Sequence, residues 1–374
     1  MPSCKRPAKA HRLACIAAGG LHPAATPRGG SDIFLSITEV ANTAGEFMHL
    51  HDVGALAVAA SALKASFQNI ALRHRVQIHV LGGSNGDGEW LQFNVLASAE
   101  RYDPSSHQWE PSQDFVSAID KASAATADGQ FYICGGRDED DIIRSSLHRF
   151  DGAASRWEPV QPMTTCRMGA AVVAMHGSIY VCGGCGSDEI NLESVERFDP
   201  RLGRWESLRN MSEARFGAAS ATFAGHLYIL AGLDIHDVCS SSMERFCPGT
   251  GLWENCPPLS AARCGATAVA ISAKLYVCGG FDATQDVKRS LERFDLAAGT
   301  WEVLPDMSMA RCFASSVAVG GRLYIFGGQD NQNPPRFLDS AEVFDTAATA
   351  WHALPPMSCS RAGAACWVTR VRPS

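Results

Sequence analysis

The 374-residue chain carries 32 Lys and Arg against 39 Asp and Glu, a formal charge of -7, with 46% apolar and 19% charged residues. That balance can supply a sizeable core, excludes a disordered or highly charged chain, and gives no reason to expect nucleic-acid binding. No apolar run is long enough to span a membrane, and 14 cysteines spread over such a length fit a reduced, cytoplasmic protein better than a disulfide scaffold.

In chain order, residues 1–30 hold Lys5, Arg6, Lys9, Arg12 and Arg28 and no acid, which leaves the rest of the chain acidic. This stretch reads as a disordered basic tail; a transit segment would be richer in serine. Residues 31–66 read as helical. Val53, Leu56, Ala57, Ala60 and Leu63 recur at helical spacing, and Asp52 is placed to cap the start.

From about residue 70 a repeat takes over. Glycine doublets stand at Gly82-Gly83, Gly135-Gly136, Gly183-Gly184, Gly279-Gly280 and Gly327-Gly328, with Ala231-Gly232 as the fourth. Tryptophan keeps the same phase at Trp109, Trp157, Trp205, Trp253, Trp301 and Trp351, each preceded seven residues earlier by Tyr or Phe. Tyr132, Tyr180, Tyr228, Tyr276 and Tyr324 mark one strand position, where the first unit has His79. Each unit reads as four short strands: a small apolar one ("GAAVVAM"), a tight turn, the "xYxxGG" strand, "VERFDP", and the Trp strand.

Six units with these registered marks over residues 70–371 resemble Kelch repeats, which implies an all-β fold, a six-bladed β-propeller. The stretch "SIYVCGGCG" contains a CxxC, Cys182 and Cys185. Cys182 aligns with Cys134, Leu230 and Cys278 before the other doublets, so it reads as packing; Cys185 begins a loop and shows no repeated counterpart. The first unit lacks an inner strand, whereas "RAGAACWVTR" at the C-terminus is an inner strand without a unit. The segment 361–370 is therefore expected to close blade one.

Propeller function is expected on loops at one end of the ring. Arg167, Arg215, Arg263, Arg311 and Arg361 stand ten residues after successive tryptophans, and blade one breaks the pattern with Ile119 in that place. The Kelch resemblance implies that such arginines line the channel mouth and grip an acidic peptide; the alternative is a residue of the repeat that bonds neighbouring backbone. The loop after the first doublet is the longest and carries Trp90, a candidate interface anchor. His236 lies on the equivalent loop of the fourth unit, while "RDEDDIIRSS" reads as a solvated acidic face.

All six tyrosines occupy repeated positions and no nucleophile or phosphate-binding motif is present, so neither an enzyme nor a cofactor or metal site is expected. The stretch "FMHLHDVGALAVAASALKAS" resembles the second half of an F-box without its opening Leu-Pro; a helical plug against the propeller is the alternative. The resemblance implies a Skp-type adaptor and a cullin as partners, with the propeller as the substrate receptor of a ubiquitin ligase. An actin-associated scaffold is the other reading, and a propeller enzyme the third.

Overall fold

In blade three the strands Ala171–Met175, Ser178–Cys182, Val195–Asp199 and Arg204–Leu208 form an antiparallel meander in sequence order. The inner strand is built of Ala, Val and Met, all buried, because it faces the crowded axis. The outer Trp strand is largely exposed. His176 and Gly177, both at positive φ, make the tight turn between the first two strands. Phe198 pairs with Trp205 across the outer strands, and the same pairing recurs as Phe246 with Trp253 and Phe294 with Trp301. The structure, a computed structural model, describes residues 75–371 apart from 87–92, 153 and 333–334. The basic tail, the helical segment 31–66 and Trp90 lie outside the described residues.

Six such four-stranded sheets are present, with one two-stranded hairpin, Ser84–Gly86 with Phe93–Val95, in the long first loop. Blade one closes as the sequence predicts: Ala365–Val371 is its innermost strand, antiparallel to Arg75–Leu81. The closure carries its own packing. His79, in the usual Tyr place, stacks on Trp367 of the closing strand with ring centres 4.9 Å apart. Its two ring nitrogens reach the hydroxyls of Ser112, at 3.1 Å, and Thr369, at 3.0 Å.

Burial, with the Arg101 charge in addition, lowers the His79 pKa from 6.5 to about 4. For a base with a depressed folded pKa, the unfolded chain takes up the proton first. Stability is therefore full above pH 6.5 and falls as pH drops toward 4, by at most about 3 kcal/mol. Urea unfolding across this range should show a smaller loss for His79→Tyr than for the native chain; equal losses would rule out His79 as the source.

The core is a series of layers between neighbouring blades. One joins Ala125, Tyr132 and Cys134 of blade two to Val172, Ile179 and Phe198 of blade three, and comparable layers follow around the ring. Tryptophan stitches the layers. The indole N–H of Trp205 donates to the Gln161 carbonyl of the previous blade at 2.7 Å, and Trp253, Trp301, Trp351 and Trp109 repeat the bond.

The Gly-Gly marks have a steric cause. Both glycines take positive φ, and a β-carbon on Gly183 would collide with the Arg215 carbonyl of the next blade. The second glycine's N–H then donates to that same carbonyl, as Gly184 does to Arg215 at 2.8 Å. Ala231 occupies the first-glycine position at φ 62, a conformation that disfavours a side chain. Around the axis, Lys121, Gly169, Gly217, Gly265, Phe313 and Gly363 each donate a backbone N–H to the equivalent carbonyl of the preceding blade, at 2.8–3.1 Å, in an unbroken ring. All six have positive φ.

Candidate functional site

A meander of four strands places its second-to-third and blade-to-blade connections at one end of the ring and its hairpins at the other. The Gly-Gly loops and the sequence-predicted arginines belong to the first end. After each doublet the chain pairs once more with the start of the inner strand, as in Met168 with Cys185, Phe216 with Leu233 and Cys312 with Gln329. Cys185 therefore does have counterparts: Arg137, Leu233, Phe281 and Gln329 in other blades. Cys182 and Cys185 are both buried, and every described cysteine is a free thiol. Burial pushes the Cys182 thiol well above the ordinary range, so it is unreactive packing.

The five arginines do not line an open mouth. Arg167, Arg215, Arg263, Arg311 and Arg361 are buried, at 1–2% exposure. Each pairs with the Glu of its own blade's third strand: Arg167 with Glu196 at 2.9 Å, Arg215 with Glu244 at 3.1 Å, Arg311 with Glu342 at 2.8 Å, Arg361 with Glu100 at 3.0 Å, and Arg263 with Glu292. The Arg167 guanidinium also donates to the carbonyls of Gly183 and Ser194 and to the Ser194 hydroxyl. Burial alone would raise the Glu196 carboxyl, yet bonds from the Thr164 hydroxyl and amide and from Arg167 hold it below its ordinary value. The five guanidiniums are turned into their own blades and sealed from solvent, which corrects the expectation that they grip a partner's carboxylate.

Blade two lacks both halves of this pair at once. Ile119 replaces the Arg and His148 replaces the Glu, and Phe115 fills the gap edge-on to His148 and to Trp157. An ion pair is exchanged there for apolar packing, so His148 is one member of a coupled change, not an isolated variation. Channel-side, Asp120 is paired with buried Lys121 at 3.1 Å and with Arg137 at 3.5 Å, while Met168, Phe216, Leu233, Cys264, Phe281 and Phe313 make the opposite part apolar.

What the Gly-Gly end offers to solvent is different. Of the eight exposed large apolar side chains among the described residues, five lie there: Val116, Ile142, Ile190, Ile235 and Val238. Ile142, Ile190 and Val238 occupy one repeated loop position in consecutive blades. Each follows a residue at positive φ (Asp141, Glu189, Asp237), so the three loops turn alike. Asp138 and Asp234 shape their loops by accepting backbone N–H bonds from Ile142 and Val238, as Asp282 does in blade five. The side chain of Asn191 bonds the Asp234 carbonyl at 2.6 Å and ties the third loop to the fourth. His236 is exposed on this end, beside Ile235. The sequence reading passed over these aliphatics, although aligning the loops by repeat isolates them.

Carboxylates surround them. The loop 137–146 holds four acids and two bases, 185–194 three acids and no Lys or Arg, and 233–242 two acids and no Lys or Arg. An acidic peptide finds no cationic seat on this arc. Among the described residues no group of His, Cys, Asp and Glu is arranged to hold a metal ion. No described helix is long and apolar enough to cross a membrane.

Comparison with known proteins agrees with this architecture. No curated protein matched the sequence. A solved structure titled "Structure of YjhT" superposes with a TM-score of 0.62 at 14% identity, covering 74% of this chain and 97% of that one, a likeness of fold alone. The profile of the Attractin/LZTR1 β-propeller family matches residues 131–370, from the second blade through the closing strand. With well over half of its length matched, and with Kelch-type blades closed by the C-terminal strand, this chain belongs to the Attractin/LZTR1 β-propeller family.

Proposed function

We propose that the propeller is a protein-interaction scaffold whose docking face is the Gly-Gly end over blades two to four. One observation carries the reading. The loop position that holds Ile142, Ile190 and Val238 holds Asp286 in blade five and Arg336 in blade six. Each is followed by a residue that pairs back to the chain after the doublet: Ile143, Asn191, Cys239, Val287 and Phe337. The fold accepts a charge at that place, so the three aliphatics are not required for folding. Exposed aliphatics grouped on one face mark interaction sites, and covering each of these half-exposed side chains contributes about 1 kcal/mol before the costs of association.

Affinity capture with the full chain and with an Ile142→Ser, Ile190→Ser, Val238→Ser variant tests this. Partners should be recovered by the first and lost by the second at an unchanged melting temperature. Equal recovery would move the docking face elsewhere. Recovery of a Skp-type adaptor and a cullin that survives the triple substitution would support the substrate-receptor form of the reading, with residues 31–66 as the second contact.

A further inference from the structure

The aliphatic arc and the acidic surplus coincide, and that coincidence specifies an occupant. In blades two and three the exposed aliphatics stand beside Glu139, Asp140 and Asp188, all exposed, and the blade-four loop adds the half-buried Asp234 and Asp237. The two bases of the blade-two loop are already engaged, Arg144 with Asp138 and Arg137 with Asp120 and Asp141. In blade five, where the aliphatic is absent, two acids are matched by two bases: Lys288 pairs with Asp282 and Asp286, and Arg289 with Asp306. In blade six Arg336 pairs with Asp330. The loops that expose aliphatics thus carry a surplus of two or three acids each, against none in blade five and one in blade six. The long blade-one loop beside them also holds two acids, Asp87 and Glu89, without a Lys or Arg.

Resting on the docking face proposed above, we infer that this arc receives a segment of a partner protein in which aliphatic side chains are interspersed with Lys or Arg. The aliphatics seat against Ile142, Ile190 and Val238, and the cations answer the carboxylates between them. Complementary charge of this kind sets specificity and association rate, while the apolar contact supplies most of the affinity. The same field repels acidic peptides, nucleic acid and anionic lipid surfaces.

Selection of a random-peptide display library on the immobilised full chain, without and with counter-selection against the triple serine variant, tests the chemistry. The retained peptides should be enriched in Lys and Arg together with Leu, Ile or Val and lost on the serine variant. Fluorescence anisotropy with one of them should show about tenfold weaker binding to a Glu139→Lys, Asp140→Lys, Asp188→Lys variant, and a steady loss of affinity with salt. Acidic or uncharged peptides that need the three aliphatics would leave the docking face standing and overturn the charge inference, as would unchanged binding to the lysine variant. Peptides held equally by the serine variant would remove the face itself.

Discussion

A chain ending at Ser360 is expected to lose its cooperative unfolding transition and to aggregate. The cut removes the strand Ala365–Val371, and with it the seven-residue pairing to Arg75–Leu81. It also removes Trp367, which stacks on His79 and packs edge-on against Trp157 in the layer between blades one and two, and Cys366 and Val368 from the layer between blades six and one. The Arg361–Glu100 pair disappears, and the axial ring of backbone bonds is broken at Gly363. What remains is an open ring with an unpaired inner strand, an edge that other chains can join. Size-exclusion chromatography and calorimetry of the truncated and full chains decide the matter. A truncated chain that stays monomeric and melts as sharply and as hot as the full one would refute the closure.

Replacing Arg311 by alanine is expected to cost about 3–5 kcal/mol, because Glu342 would be left buried without its partner. The carbonyls of Gly327 and Ser340, which accept from the same guanidinium at 2.8 and 2.9 Å, would lose that donor too. For a propeller of this size the melting temperature should fall by about 5–8 °C. The double change Arg311→Met with Glu342→Leu should recover most of the loss, since apolar residues of similar volume often replace a buried ion pair at little cost. Blade two already lives with such an exchange in Ile119, His148 and Phe115. An Arg311→Ala chain that melts like the native one would show that the buried pair is not a staple of the blade.

Much of this architecture was legible because the repeat marks report backbone demands. Gly183-Gly184 recurs since no side chain fits beneath the next blade's carbonyl, and Phe198 and Trp205 recur since they face each other across two strands. The unmatched C-terminal strand could likewise be assigned by elimination, because a ring has no free inner place. His148, by contrast, carries no meaning by itself in the sequence: its meaning lies in Ile119, in another motif of the same unit, and only the packing of Phe115 between such positions joins them. The arginines were ambiguous for a related reason. A guanidinium serves a partner's carboxylate or a neighbouring Glu with the same chemistry, and spacing does not say which way the side chain points.

By itself, then, the sequence determined the number of blades, the strand order within each and the C-terminal closure, all of which depend on local patterns repeated in phase. Tertiary structure alone decided which groups are used up and which are offered. It turned Arg167, Arg215, Arg263, Arg311 and Arg361 inward onto glutamates of their own blades, and left Ile142, Ile190 and Val238 outside, one residue from positions that are buried. Exposure is a property of packed neighbours. The loop that turns at Asp141 places Ile142 in water and Ile143 against the core, a difference that adjacent identical letters do not contain.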